Sequence, residues 1–164
     1  MAPVQQPVDL QAIPLGTHER FMRLAIEQAR RNPAFPFGAV IVRAADLQLM
    51  AEGANEGFRN PTLHGEMRTI QDYVERHGNQ GWGETILYTT GEPCPMCMSA
   101  IVWAGIGGVV WATSIATLKR VGFDQIDIAS PAVAAAAPFW RGGILGGVLA
   151  AETDRMFENR PRTS

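Results

Sequence analysis

This chain has only two cysteines, one lysine and no long apolar run, and each shortage excludes something. Two thiols cannot build the disulfide framework of a small secreted protein, so a reducing compartment, the cytoplasm, is expected. No apolar stretch approaches the ~20 residues of a membrane span. Met1 to Pro14 also lacks the basic start and apolar centre of a secretory signal. Thirteen arginines stand beside Lys119 alone, the net charge is −2, and no basic block occurs. Nucleic-acid binders usually show a basic stripe, so such a partner is disfavoured, although scattered arginines can converge in three dimensions. There is no internal repeat. What the chain does have is apolar residues, 46% of the total, which excludes a disordered polymer. Its 164 residues suit one domain with a substantial core.

The alternation of apolar and polar residues lays out the elements. Met1 to Pro14 holds three prolines and little periodicity and is expected to be a loose arm, followed by a single domain over 15–160. Thr17 is a potential cap for a helix carrying Phe21, Leu24 and Ala25, which Asn32-Pro33 stops. Strand-like runs at Phe37–Arg43 and Leu47–Glu52 suggest a hairpin. A helix with Leu63, Met67, Ile70 and Val74 on one face ends near His77-Gly78, its start marked by Asn60-Pro61-Thr62. Further strands are expected at Thr85–Thr89, Gly108–Ala112 and Ile144–Leu149. Helices follow at Met98–Ala104, Ser114–Val121, from Ser130 to before Pro138, and at Ala150–Asn159. Strands alternating with helices after a hairpin predict an α/β sandwich. Trp103 and Trp111 lie inside apolar runs and read as core.

The cysteines occur together, in Thr90-Gly91-Glu92-Pro93-Cys94-Pro95-Met96-Cys97 between a strand and a helix. At a helix start the two are i,i+3 neighbours that can point at one spot, and the helix end favours their ionised form. Half of a zinc site and a redox dithiol explain these residues equally well. His64-Gly65-Glu66 separates the two. A catalytic zinc takes three protein ligands and keeps a position for water, so His64 completes Cys94 and Cys97. Glu66 is then the carboxylate suited to general acid/base work. His-x-Glu followed by Pro-Cys-x-x-Cys is the pattern of zinc-dependent nucleobase deaminases. His64 and Glu66 can serve one site only from the first turn of a helix.

With these residues the chain resembles the cytidine/nucleobase deaminase superfamily, in the branch of bacterial guanine deaminases and tRNA adenosine deaminases. Pro36 to Val42, Asn55, His64-Gly65-Glu66 and Glu92 to Cys97 carry the resemblance, from about Phe35 to Gly122 and more loosely to Phe157. Gly65 departs from it, since alanine is more usual there, and should loosen the helix by up to ~1 kcal/mol. The resemblance implies a three-layer α/β/α sandwich around a mixed five-stranded sheet, one Zn2+ per chain, a small heterocyclic substrate and a homodimer. It also implies that Asn55 holds the base. An asparagine amide offers donor and acceptor to a purine edge, and the competing role is a turn residue in Gly53–Gly57. Phe37 is a candidate stacking face, or else core. Asp124, in Gly122-Phe123-Asp124, matches a motif of guanine deaminases whose aspartate meets the purine; alternatively it caps a loop.

The expected reaction is hydrolytic deamination, guanine to xanthine plus ammonia. Glu66 takes a proton from zinc-acidified water and returns protons to the ring nitrogen and the leaving amine. The terminus points elsewhere: Glu158 to Ser164 lacks the closing aromatic of some guanine deaminases, and Gly147–Glu152 resembles the tRNA branch. Deamination of a tRNA wobble adenosine, or of cytosine or a nucleoside, is therefore an alternative. A zinc-stabilised module without catalysis would have no need of Glu66. Phe139-Trp140 could close the pocket or form a dimer contact.

Overall fold

The computed structural model describes residues 7–162. Five strands form one mixed sheet in the order β2-β1-β3-β4-β5. They are β1 (Gly38–Arg43), β2 (Gln48–Ala54), β3 (Thr85–Gly91), β4 (Gly108–Thr113) and β5 (Gly143–Leu145). β1 is antiparallel to both β2 and β3, whereas β3–β4 and β4–β5 are parallel. The helices are α1 (Leu15–Ala29), α2 (Gly65–His77), α3 (Pro95–Ala104), α4 (Ile115–Arg120), α5 (Ser130–Ala135) and α6 (Ala150–Glu158). A parallel pair needs a crossover, and α3 supplies the one between β3 and β4.

The period-two alternation of the strands sorts the core into two layers. Val40, Val42, Ile86, Tyr88, Val110 and Ala112 face α1, which buries Phe21, Met22, Ala25 and Ile26 against them. Ala39, Ile41, Leu87, Val109 and Trp111 face the other way, onto Tyr73 of α2 and Met98, Ile101 and Val102 of α3. The three-layer sandwich expected from the sequence is thus the architecture found.

Several local expectations are corrected. Within the expected arm, residues 1–6 lie outside the described residues. From Pro7 onward the chain packs: Leu10 is buried in the α1 layer, and its carbonyl meets the buried ring of His18 at 2.9 Å. Val8 and Ile13 pack beside it on the same layer, so a few apolar anchors hold a proline-rich segment that has no periodicity of its own. α1 begins at Leu15 behind Pro14 with no side-chain cap, so Thr17 is inside the helix. β5 stops at Leu145, because Leu149 takes a left-handed conformation (φ 58°) that starts α6. Trp103 is 78% exposed while Trp111 is buried. α3 turns Cys97, Met98, Ile101 and Val102 inward, and Trp103, one residue on, rotates outward.

Candidate active site

Two helix N-termini meet at one end of the sheet, and the residues that begin them carry the chemistry. His64 is the N-cap of α2 and Cys94 the N-cap of α3, both extended (ψ 162° and 166°). Asn60 does not cap α2; its Oδ1 accepts from the Thr62 backbone N–H at 2.9 Å, turning the chain so that the helix starts later. Pro95 occupies the first helical position of α3, where its missing N–H costs nothing. These caps bring His64 Nδ1 to 3.5 Å from Cys94 Sγ and 3.6 Å from Cys97 Sγ. The donor atoms of the three all lie within 4.8 Å of one another. Nitrogen and sulfur ligands at ordinary zinc bond lengths and a tetrahedral angle stand ~3.6 Å apart, so the trio fits zinc in both spacing and donor type.

The thiols differ. Hydrogen bonding from Cys97 and from His64 lowers the Cys94 thiol to about 4 in spite of its burial. The Cys94 sulfur beside it, and then burial, raise Cys97 well above the ordinary thiol range. Cys94 is half-buried and Cys97 fully buried. Hydrogen bonding to Cys94 also raises the His64 imidazole.

Glu66 sits in the first turn of α2, 3% exposed, and Thr89 Oγ1 on β3 donates to its Oε1 at 2.7 Å. Burial, then the Cys94 sulfur, push its carboxyl above the usual range. α2 buries this polar side, Glu66, Thr69 and Asp72 together with Tyr73, against the sheet. Of the expected apolar face, Ile70 packs against the core, Leu63 and Met67 are half-buried, and Val74 is 43% exposed. Polar groups on the inner face are satisfied in place. Thr69 Oγ1 donates to the Gly65 carbonyl at 2.7 Å, and Asp72 accepts the Glu52 backbone N–H at 3.0 Å.

Gly65 is required by a close approach rather than being a loose spot in the helix. A Cβ there would lie 2.6 Å from the Phe37 carbonyl oxygen, a backbone atom that cannot swing aside. We expect Gly65→Ala to lower stability by about 1 kcal/mol or more, because overpacking costs about 1–3 kcal/mol against a helix gain of up to ~1 kcal/mol. The melting temperature should fall by about 2–4 °C. A rise would show that the α2–β1 contact yields.

Glu92 anchors the cysteine loop. Its two carboxylate oxygens accept the backbone N–H groups of Ile115 (3.0 Å) and Ser130 (2.7 Å). Ser130 Oγ in turn donates to the Pro93 carbonyl at 2.6 Å.

A cavity of about 350 Å³ opens above these groups. Phe37, Asn55, His64, Glu66, Cys94 and Asp124 all line it, so the sequence-derived residues converge on one place, with Cys97 directly beneath as the third metal donor. Phe37 is both wall and core: its ring packs 5.2 Å from Phe123 and 4.9 Å from Phe157. Asn55 is both a turn residue and a wall residue. Its Oδ1 accepts the Gly57 backbone N–H at 2.9 Å, which turns that oxygen away from base reading and leaves Nδ2 as a donor only. Asp124, an exposed residue, also lines the cavity. Sequence reasoning missed Thr89, Glu92 and, on the outer rim, Arg160. Glu92 could have been found from its place in the cysteine motif, but nothing local marks the other two. Phe139 and Trp140 lie away from this cavity, where Trp140 Nε1 donates to the Ile106 carbonyl at 2.9 Å and Phe139 stacks on Trp103 at 5.3 Å.

Comparison with known proteins agrees with this geometry. The family model described as "Cytidine and deoxycytidylate deaminase zinc-binding region" matches residues 15–113, from the start of α1 to the end of β4, and spans both halves of the donor set. The guanine deaminase of Bacillus subtilis (strain 168) is 36% identical over 134 residues, 76% of this chain and 85% of that protein. A tRNA-specific adenosine deaminase of Aquifex aeolicus (strain VF5) is 32% identical over 97 residues, 57% of this chain and 64% of that protein. The solved structure of a guanine deaminase from Nitrosomonas europaea shares the fold at a TM-score of 0.70, covering 93% of this chain and 86% of that one, at 19% identity.

Proposed function

The chain belongs to the cytidine and deoxycytidylate deaminase family and is a zinc-binding hydrolytic deaminase; from that premise we propose that its substrate is a free aminated purine, guanine first, converted to xanthine and ammonia. In this reading His64, Cys94 and Cys97 hold the zinc, and Glu66 is the general acid/base. Bound there, zinc supplies Lewis acidity that brings the pKa of water to about 7. Glu66 takes a proton from water and passes it to the ring nitrogen beside the amine-bearing carbon, then takes the proton of the hydroxyl added at that carbon and delivers it to the amine, which departs as ammonia. Thr89 holds the carboxylate in place through both transfers. Phe37 and Phe123 supply apolar faces for the ring, and Asn55 Nδ2 donates to an acceptor on its edge.

The observation that carries the choice of guanine is Asp124 on the cavity wall facing this machinery. A carboxylate there accepts an imidazole ring N–H, which a free base has and a nucleoside has lost. Similarity to the Bacillus subtilis guanine deaminase over 85% of that protein supports the same reading. Ammonia release measured on guanine, adenine, cytosine, their nucleosides, an aminated triazine and a tRNA anticodon stem-loop tests it. Guanine should be turned over, and guanosine roughly tenfold or more slower, because the Asp124 carboxylate would lose the N–H that it accepts. Turnover of the stem-loop alone would replace guanine with the wobble-adenosine reading, which the Aquifex aeolicus relative supports.

We also place the enzyme in the cytoplasm, because its two thiols stand as a metal pair. Among the described residues no helix is long and apolar enough to cross a membrane. A homodimer would cover Trp103 and Phe139, 78% and 63% exposed; a dimer mass in solution is the corresponding observation.

A further inference from the structure

The segment after α6 returns to the active-site cavity and places Arg160 on its rim, beside Gly122 and Phe123. The guanidinium lies 3.6 Å above the Phe123 ring. Phe123 is itself fixed edge-on by Phe37 at 5.2 Å and Phe157 at 5.5 Å, so the cation rests on a rigid platform. Its hydrogen bonding is sparse: Nη2 reaches the Gly122 carbonyl at 3.4 Å, and Nε, buried, meets no acceptor among the described residues. Other arginines near the core elements make ion pairs, as in Arg23–Glu152, Arg43–Asp46 and Arg76–Asp72, and several of those described on the surface do not. Among the described residues no carboxylate pairs with Arg160, not even Asp124, which shares its wall. Burial, and the positive charge of Arg162 beside it, work against the protonated form. A guanidinium held flat at the mouth of a cavity, unpaired and next to another cation, is placed to donate to something entering that cavity.

We propose that Arg160 is a specificity-determining residue whose guanidinium donates to the N7 and O6 acceptor edge of a 2-aminopurine-6-one presented with its C2 amine to the metal donors. This rests on the guanine reading above and deepens it. In guanine, N7 and O6 flank the carbon opposite C2 across the six-membered ring, so reaction at C2 leaves that edge on the outer side. An arginine fork matches this pair of acceptors bidentately, whereas lysine offers a single point charge. Asp124 and Arg160 then read opposite polarities on one end of the base: the carboxylate takes the imidazole N–H, and the guanidinium serves the unprotonated nitrogen.

The test measures dissociation constants in a Glu66→Gln background, where ligand is not consumed, for guanine and for 7-deazaguanine, which lacks the N7 acceptor. Without further substitution, guanine should bind roughly tenfold to a hundredfold more tightly than 7-deazaguanine. Adding Arg160→Ala should remove most of that ratio by weakening guanine much more than 7-deazaguanine, which has only the O6 contact to lose, and Arg160→Lys should restore only part. Equal weakening of both ligands by Arg160→Ala would mean that the residue merely ties down the terminal segment, and would overturn the proposal while leaving guanine as substrate. Failure of the Glu66→Gln protein to bind either ligand, together with failure of the parent protein to deaminate guanine, would remove the guanine reading itself and this role with it.

Discussion

Glu66→Gln should leave a folded protein with its full zinc content and a kcat lower by about 10²–10⁴, toward the upper end of that range. One group takes both protons of the attacking water in turn and gives them to two atoms of the substrate, so no step of the cycle is spared its loss. The amide keeps the length of the side chain, and its oxygen can still accept from Thr89 Oγ1, so the helix end need not move. His64, Cys94 and Cys97 are untouched, and zinc measured by atomic absorption should remain near one per chain. The site is 3% exposed, and burial already works against its charge, so a neutral side chain there should melt within a few degrees of the parent. Ammonia release and metal content on the same sample check the expectation. Turnover within tenfold of the parent would take Glu66 out of the mechanism, and lost zinc would mean that it supports the metal site instead.

The halves of this site were legible because each is compressed into a few residues whose geometry is local. Cys94 and Cys97 span one helical turn, and His64 and Glu66 span a cap and its first turn, so spacing alone fixed how each pair could point. The strands were legible through their two-residue alternation, as Ala39 and Ile41 against Val40 and Val42 show. The missed features depend on what lies across from a residue. α2 leaves Met67 half-buried and Val74 exposed while it buries Glu66, Thr69 and Asp72, which a rule of apolar side inward does not anticipate. Thr89 on β3 reaches Glu66 only after β1 and β3 have paired, and Gly65 makes sense only beside the Phe37 carbonyl. Arg160 needed the segment after α6 to fold back over Phe123, and its neighbour Gly122 lies 38 residues away along the chain.

Cys97→Ala tests the metal site where a side chain can be shortened with little change of shape. The sulfur is fully buried in α3 and stands 3.6 Å from His64 Nδ1, so removing it leaves two donors where a tetrahedral zinc needs three from the protein. The variant should purify without zinc and without activity. Its melting temperature should not respond to chelator, whereas that of the parent should fall. A ligand held at a thousandfold over its dissociation constant stabilises by about 4 kcal/mol. For a chain of this size that corresponds to roughly 8–16 °C, so the two proteins should separate clearly in one pair of melts. Acid should mimic the chelator: Cys97 holds its proton well above the ordinary thiol range in the metal-free protein, and zinc must expel it to bind. Affinity therefore weakens as pH falls. A Cys97→Ala protein that retained one zinc per chain would sink the ligand assignment. A parent that purified without metal and with Cys94 and Cys97 oxidised together would instead return the redox reading that two cysteines alone allow.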